Sequence, residues 1–173
     1  MPSATTRWCP AYVGIGSNLD SPQDHVVAAI EELGALPETG VTGASSLFRS
    51  APFGPVEQGD FVNAVVAMMT RLSAHELLRE MRTIEDNHGR KRDGERWGPR
   101  TLDLDLLVFS DEVINDDVLT VPHPGISERN FVLLPLCELA PHLIVPGLGS
   151  VASLTDVVRS SGGRIERMTA AST

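Results

Sequence analysis

Two aspartates separated by one residue form the feature of this sequence that most directly suggests chemistry. Asp103 and Asp105 end the run Arg-Trp-Gly-Pro-Arg-Thr-Leu-Asp-Leu-Asp at residues 96–105. If residues 101–109 form a strand, its period of two places both acids on one face, about 7 Å apart. Neighbouring carboxylates resist ionising together unless a cation or a shared proton relieves their repulsion. The pair therefore indicates a divalent metal site or a proton-sharing dyad, or else a merely exposed strand face.

Basic residues concentrate in the segment that precedes these acids. Half of the 14 lysines and arginines of the chain lie there, namely Arg79, Arg82, Arg90, Lys91, Arg92, Arg96 and Arg100. The planar fork of arginine suits bidentate recognition of phosphate, although a solvated, salt-bridged helix end would look similar. Beside two carboxylates, the cluster favours Mg²⁺-dependent phosphoryl or pyrophosphoryl transfer over a proton-sharing dyad.

The composition of the chain limits its class and its partners. Its 173 residues fit a single domain over residues 1–173, and we expect residues 1–10 and 164–173 to be flexible. A formal net charge of −9 argues against broad binding to nucleic acid or to an anionic membrane. The two cysteines indicate no disulfide framework, and we find no apolar run of signal-peptide or membrane-spanning length. These observations favour a reduced, cytoplasmic protein.

The elements that must position the acids follow from hydrophobic periodicity and capping signals. The patterns predict strands at residues 12–16, 41–49, 61–70 and 101–109, with helices that begin after Ser21 and after Ser73. Strand, helix, strand, strand, helix, strand is the order of a ferredoxin-like α/β sandwich of the α+β class, with a βαββαβ core. Beyond this core we predict an extra C-terminal hairpin within residues 111–120 and short helices. Pro135 is expected to divide residues 127–139 into two of them.

Two loops and a glycine turn surround the predicted strands. Residues 50–60 are rich in proline and glycine and resemble a functional loop, and residues 90–99 form a second loop. The turn Gly-Ile-Gly-Ser-Asn-Leu at residues 14–19 lacks the third glycine of a dinucleotide-binding turn, and the chain has no Gly-Lys-Ser/Thr sequence. The glycines are better explained by a tight exit from the strand beside another backbone.

These motifs, taken in order, closely resemble the 6-hydroxymethyl-7,8-dihydropterin pyrophosphokinase family of folate biosynthesis. The resemblance rests on residues 14–19, on residues 96–105 and on Val-Pro-His-Pro at residues 121–124, and it extends to about residue 146. It implies a ferredoxin-like monomer that transfers pyrophosphate from ATP to the hydroxymethyl group of a reduced pterin and releases AMP. It also implies that two Mg²⁺ ions bind at Asp103 and Asp105.

The resemblance further implies roles for individual residues. As catalytic residues it implies Arg90, Arg100, Asp103 and Asp105. As ATP-binding residues it implies Glu85, Arg92, Trp97, Leu106, Thr120, His123 and Arg129. As pterin-binding residues it implies Ser50, Ala51, Phe53, Phe61, Asn63 and Phe131. At Ala51, Phe61 and Val118 the sequence departs from residues that are common in the family, namely a proline, a tyrosine and an arginine.

Two other classes of protein share the predicted fold. A non-catalytic ferredoxin-like module could sense a nucleotide or a pterin, but it would be expected to lack one of the acids or Arg100. An RNA-binding ferredoxin-like domain would need aromatic residues on a central strand within a basic field. The acidic balance of the chain opposes the RNA-binding alternative.

Overall fold

A computed structural model of the protein describes residues 7–52, 54–91 and 98–169. Its regular elements, in chain order, are β1 (Cys9–Ser17), α1 (Pro22–Gly34), β2 (Thr39–Ala44), β3 (Phe48–Ser50), β4 (Phe61–Thr70), α2 (Ala74–Asn87), β5 (Asp103–Phe109), β6 (Ile114–Asn115), β7 (Thr120–Val121), α3 (Asn130–Leu139), β8 (Ile144–Val145), β9 (Gly149–Ser150), α4 (Val151–Arg159) and β10 (Ile165–Arg167). A 3₁₀ turn at Ile126–Glu128 precedes α3.

The central sheet has the strand order β10-β3-β4-β1-β5, and β2 also pairs with β4. Every pairing in it is antiparallel. The predicted second strand, residues 41–49, is divided into β2 and β3, which pair with opposite halves of β4. With these two strands counted as one, the βαββαβ order is the predicted one, and the ferredoxin-like prediction is confirmed.

Helices cover both faces of the sheet. On one face, α1 and α2 pack against a core that includes Val13, Leu33, Leu77 and Leu104. On the other face, α3 and α4 pack over a second core that includes Leu107 and Leu133. Successive residues of β5 point to opposite faces, so Asp103 and Asp105 share the α3 side while Leu104 and Leu106 enter the α1 and α2 core.

The starts of the two core helices differ in how they are capped. At Ser73 the predicted capping box is present, since the Ser73 hydroxyl accepts the amide of Glu76 and the Glu76 carboxylate accepts the amide of Ser73. At Ser21 the side chain makes no capping hydrogen bond, because its backbone is left-handed with φ of 66°. Pro22 still occupies the first helical turn.

Helix α3 corrects the prediction made from Pro135. The helix runs unbroken from Asn130 to Leu139 with Pro135 inside it, and the division lies earlier, at Arg129, after the 3₁₀ turn. A proline removes one backbone hydrogen bond, but this helix buries Val132, Leu133 and Leu136 in a core. That packing maintains the helix across the missing bond.

Two short strand segments lie within residues 1–10 and 164–169, which the sequence predicted to be flexible. Cys9 and Pro10 belong to β1, where they pair with Thr70 and Met69 of β4. Ile165–Arg167 forms β10 at the edge of the sheet, paired with β3. The short segment Ile165–Arg167 gave no sign of this strand, because backbone pairing with a distant segment leaves no pattern in the local sequence. Among the helices of the described ranges, none has the length and apolar character needed to cross a membrane.

Candidate active site

A cavity of about 350 Å³ opens on the α3 side of the central sheet. Strands β1, β3, β4 and β5 contribute its floor, and the start of α3 contributes part of its wall. Its lining residues are Gly14, Ile15, Gly16, Ser50, Ala51, Phe61, Asn63, Ala64, Gly98, Arg100, Asp103, Asp105, His123, Pro124, Arg129, Phe131 and Val132. Aromatic, amide, acidic and basic side chains therefore meet in one concave site, as ligand-binding sites require.

The register of the sheet sets the spacing of the polar groups. Gly16 of β1 pairs with Asn63 of β4 on one side and with Asp103 of β5 on the other. Paired residues in an antiparallel sheet point to the same face, and two strand spacings amount to about 10 Å. These three paired residues form one rung of the sheet, and Gly16 in its middle has no side chain to obstruct a ligand. A planar ligand can therefore lie between an amide and a carboxylate.

The amide end of the cavity is held by a buried hydrogen bond. Asn63 is only 4% exposed, and its side-chain nitrogen donates to the hydroxyl oxygen of Ser50 at 2.7 Å. This contact fixes the orientation of the amide, so that its remaining hydrogen-bonding capacity is available to a ligand edge. Phe61 lies two residues before Asn63 on β4 and also lines the cavity.

The two aspartates at the other end have different partners. The carboxylate of Asp103 accepts hydrogen bonds from the guanidinium groups of Arg90 and Arg100, at 2.5 and 3.0 Å. Burial, and then repulsion from Asp103, raise the pKa of Asp105 to about 8, and Arg129 only partly offsets them. In the absence of a bound cation, Asp105 therefore holds its proton at neutral pH. A divalent cation would remove that repulsion.

His123 and Arg129 reach the same carboxylate from the segment before α3. His123 Nε2 lies 3.6 Å from Asp105 Oδ1, and Arg129 Nη1 lies 4.0 Å from Asp105 Oδ2. Burial and the charge of Arg129 lower the pKa of His123 to about 4. His123 is therefore a neutral hydrogen-bonding group near pH 7, and Arg129 supplies the positive charge.

Arg90 and Glu85 lie behind the acids rather than in the cavity lining. Glu85 is 4% exposed, and its carboxylate accepts the backbone N–H of Leu104 at 3.0 Å and a guanidinium N–H of Arg90. Burial lowers the pKa of Arg90, but the negative charges around it, Asp103 foremost, raise it above the ordinary value. Arg90 is thus a permanent cation between two carboxylates. Glu85 supports the peptide between Asp103 and Asp105.

Asn18 joins the two loops that border the cavity. Its side-chain oxygen accepts the backbone N–H of Arg100 at 2.8 Å, and its backbone N–H donates to the carbonyl of Arg100 at 3.1 Å. Its side-chain nitrogen donates to Gln58 at 2.9 Å and to the carbonyl of Gly59 at 3.1 Å. Asn18, in the turn after β1, therefore connects Arg100 to the loop at residues 51–60 by hydrogen bonds.

The structure brings most of the predicted site residues together in the cavity lining. Ser50, Ala51, Phe61, Asn63, Arg100, Asp103, Asp105, His123, Arg129 and Phe131 line the cavity. The side chain of Leu106 packs into the core on the opposite face of the sheet, and Thr120 is exposed on β7 outside the lining. The predictions for Phe53, Arg92 and Trp97 lie outside the described residues.

Two residues of the site were not singled out from the sequence. A Cβ atom added to Gly16 would lie 3.1 Å from Asn63 Oδ1, so this position has little room for a side chain beside the amide. The glycine turn was the available signal, although it was interpreted as a tight strand exit. Asn18 was recognised only as part of a polar turn. Its contacts are to residues far along the chain, which no local pattern reveals.

Comparison with known proteins identifies relatives that span most of the chain. The family described as 7,8-dihydro-6-hydroxymethylpterin-pyrophosphokinase (HPPK) matches residues 12–141. A 2-amino-4-hydroxy-6-hydroxymethyldihydropteridine pyrophosphokinase of Haemophilus influenzae is 42% identical over 144 residues, which cover 83% of this chain and 89% of that protein. The enzyme of the same name from Pseudomonas aeruginosa is 46% identical over 135 residues, covering 78% and 83% of the two chains.

Solved structures agree on the fold. A crystal structure of wild-type Plasmodium falciparum HPPK-DHPS superimposes with a TM-score of 0.70 at 13% sequence identity, covering 91% of this chain. The match spans 46% of the Plasmodium chain, less than half its length. At this identity the likeness shows the fold alone, whereas the relatives with 42% and 46% sequence identity show the family. On the matched residues and these identities, the chain belongs to the 7,8-dihydro-6-hydroxymethylpterin-pyrophosphokinase family.

Proposed function

We propose that this protein transfers the pyrophosphoryl group of ATP to the hydroxymethyl group of 6-hydroxymethyl-7,8-dihydropterin, giving the pterin diphosphate and AMP. The observation that carries the proposal is the rung on which Gly16 separates Asn63 from Asp103. A hydrogen-bonding amide thus lies at one end of the cavity, and a cluster of aspartates and arginines that could bind metal and phosphate lies at the other. Family membership identifies the two substrates that such a cavity would join.

The amide end suits a pterin. A pterin is a flat heterocycle with a hydrogen-bonding edge, and Asn63 presents an amide whose orientation Ser50 fixes. Phe61 and Phe131 both line the cavity, where aromatic rings can pack on a planar ligand. Ala51 contributes backbone and a methyl group beside Ser50. We assign Ser50, Ala51, Phe61, Asn63 and Phe131 to pterin binding, together with Phe53 from the resemblance.

The acidic and basic end suits the triphosphate. Arg100 and Arg129 line the cavity and carry positive charge towards the position of the phosphates. His123 is neutral near pH 7, and because its Nδ1 accepts the N–H of Gly125, its Nε2 carries the proton and can donate one hydrogen bond to a nucleotide. We assign both Arg129 and His123 to ATP binding. From the resemblance we retain Glu85, Arg92, Trp97, Leu106 and Thr120 as further ATP-binding proposals, with contact by Leu106 limited to its backbone.

The donor set fits magnesium. Asp103 and Asp105 offer hard oxygen ligands on one face of β5, and burial, with repulsion from Asp103, raises the pKa of Asp105, so that a bound cation would stabilise its charged form. Within the described residues, histidine, cysteine and acidic side chains form no group of three or more that could hold a metal ion by protein ligands alone. Mg²⁺ commonly takes its other ligands from water and substrate phosphates, which matches such a site. We propose two Mg²⁺ ions, which when bound would neutralise phosphate charge and activate the attacking oxygen.

The reaction that we propose is an in-line displacement. The hydroxymethyl oxygen forms a bond to the β-phosphorus and loses its proton, while the bond to the oxygen bridging the α-phosphate breaks and AMP leaves. Asn63 and Phe61 orient the pterin so that its hydroxymethyl group points along the rung towards Asp103. Arg100 stabilises charge on the transferred group, and Arg90 acts with it through Asp103.

Domain, subunit and location proposals accompany this function. We propose a monomer formed by a single domain over residues 1–173, as the family resemblance implies. Cys9 and Cys137 are both free thiols, and we propose a cytoplasmic location on that basis.

The decisive experiment measures AMP release from ATP with and without 6-hydroxymethyl-7,8-dihydropterin, in Mg²⁺ and in EDTA. We expect AMP only when both the pterin and Mg²⁺ are present. Pterin-independent AMP would indicate an ordinary nucleotide hydrolase. Binding of both ligands without AMP would instead identify a non-catalytic sensor, and either result would refute the proposal.

A further inference from the structure

Arg164 contacts both ends of the loop that connects β3 to β4, residues 51–60. Its backbone carbonyl accepts the N–H of Ala51, the first residue of the loop, at 3.0 Å. Its guanidinium donates to both carboxylate oxygens of Asp60, the last residue of the loop, at 3.0 and 2.7 Å. The side-chain contact is bidentate, which constrains direction as well as distance. One residue thus sets the separation of the two loop ends.

Strand β10 and α3 hold Arg164 in this place. Immediately after Arg164, Ile165 pairs with Ser50, and further along the strand Arg167 pairs with Phe48. Just before it, the carbonyl of Gly163 accepts a hydrogen bond from the side chain of Asn130 at 2.8 Å. The backbone on both sides of Arg164 is therefore anchored to elements that do not belong to the loop.

The loop ends adjoin residues of the cavity. Ala51 itself lines the cavity, and Ser50 before it holds the amide of Asn63. Phe61 follows Asp60 directly and also lines the cavity. A change in the spacing of Ala51 and Asp60 would therefore move groups that we assign to the pterin, whereas Asp103 and Asp105 lie on β5, across the sheet.

We infer that Arg164 is a positioning residue for the pterin, which pre-organises the loop at residues 51–60 by clamping Ala51 and Asp60. The inference rests on the proposed function, since it concerns the pterin end of the same cavity. The family match ends at residue 141, so the clamp comes from a part of the chain beyond it. Pre-organisation lowers the ordering cost of binding and so acts on affinity rather than on chemistry.

The position of the ion pair predicts what its loss would change. The side chains of Arg164 and Asp60 are 59% and 32% exposed, and exposed ion pairs contribute little to the stability of a fold. The hydrogen bonds that Arg164 donates to Asp60 lower the pKa of Asp60, so the pair is charged throughout the neutral range. Removing the guanidinium should therefore loosen the loop end without unfolding the protein.

The experiment compares two arginines of the same C-terminal segment. Arg164→Ala should raise the KM for 6-hydroxymethyl-7,8-dihydropterin about three- to fivefold, with kcat and the KM for ATP within about twofold of wild type. Arg164→Lys keeps the charge but loses the bidentate geometry and should give an intermediate KM. Arg167→Ala is the matched control, because it also removes an exposed ion pair, that of Arg167 with Glu138 at 3.1 Å, and should leave the pterin KM unchanged.

Exchange of the charges tests the pair itself. Asp60→Arg alone should raise the pterin KM, and combining it with Arg164→Asp should recover part of the loss. An unchanged pterin KM in Arg164→Ala, or an equal rise in Arg167→Ala, would overturn the inference. Calorimetric titration of the pterin onto each variant decides the same question from Kd. If the wild-type protein bound the pterin but released no AMP, the proposed function would fail while the role of Arg164 was still measured.

Discussion

Asn63 and Asp103 lie on one rung of the central sheet, on the two strands that flank β1, and both pair with Gly16. The amide and the carboxylate are therefore held on the same face by backbone hydrogen bonds, independently of any loop. A ligand that reaches both must pass over a residue without a side chain. The proposed pterin and triphosphate sites are joined at this glycine.

The first prediction concerns Gly16. In Gly16→Ala the new Cβ would lie 3.1 Å from Asn63 Oδ1 and 3.7 Å from the ring of Phe61, so the amide must move. Weakening a hydrogen bond of a buried group costs about 1–2 kcal/mol, and we expect the pterin KM to rise about tenfold. The KM for ATP should change less than twofold. Steady-state kinetics with each substrate varied in turn measures both values.

Gly40→Ala is the control for this substitution. Gly40 lies in β2, and a Cβ added there meets no atom within 4 Å. Both KM values should remain at wild type. An equal increase in both substrates' KM for Gly16→Ala would indicate a general distortion of β1 rather than a displaced amide.

The second prediction separates the two acids. Asp103→Asn and Asp105→Asn should each lower kcat by a factor of about a hundred or more, since both carboxylates are proposed metal ligands. Their effects on stability should differ. Asp103 is paired with Arg90 and Arg100, so its loss should cost about 1.5–3 kcal/mol of unfolding free energy. Asp105→Asn removes a carboxyl that is disfavoured in its charged form and should cost less.

Urea unfolding of both variants in EDTA at pH 7 measures this difference, with metal-free wild-type protein as the reference. Equal losses of stability would mean that neighbouring positive groups balance the charge of Asp105 as fully as they balance that of Asp103. Near-wild-type turnover of either purified variant would remove that residue from the proposed metal site.

The third prediction follows from the raised pKa of Asp105. Its folded pKa of about 8 lies above the ordinary value of 3.8, so the metal-free protein binds a proton that the unfolded chain releases between these pH values. This contribution to the free energy of unfolding is largest at the low-pH end of that window. It decreases as the pH rises and is lost once the pH passes about 8. Binding of Mg²⁺ must displace the same proton, so its affinity should increase by up to about tenfold per pH unit below pH 8.

Calorimetric titration of Mg²⁺ into wild-type protein with a non-hydrolysable ATP analogue, in buffers of different ionisation enthalpy, counts the released proton. Asp105→Asn supplies the control, since it has no proton to release at this position. A Mg²⁺ affinity that is flat between pH 6 and 8 would contradict the assignment of the titrating group.

The sequence predicted the parts of the site that local periodicity determines. The period of two along β5 put Asp103 and Asp105 on one face, and the capping box at Ser73 marked the start of α2. Contacts between distant segments were beyond such patterns. Glu85 stays an ATP-binding proposal, but no local pattern indicated that its carboxylate contacts the amide of Leu104 and Arg90, as a buried acid requires. Strand β10 was missed because its partner, β3, is far away in sequence.

The last prediction uses Asn18, whose side chain contacts two loops through two different atoms. Asn18→Ala removes the acceptor for the backbone N–H of Arg100 and the donor to Gln58 and Gly59. Asn18→Asp retains an acceptor for Arg100 and loses only the donor. We therefore expect Asn18→Asp to raise the pterin KM with a small change in kcat, because Arg100 stays in place. Asn18→Ala should also lower kcat, by about tenfold for one lost positioning hydrogen bond.

Gln58→Ala is the matched control for the loop contact and should resemble Asn18→Asp. If Asn18→Asp lowered kcat as much as Asn18→Ala, the carboxylate charge or the loop contact, rather than the position of Arg100, would control the chemical step.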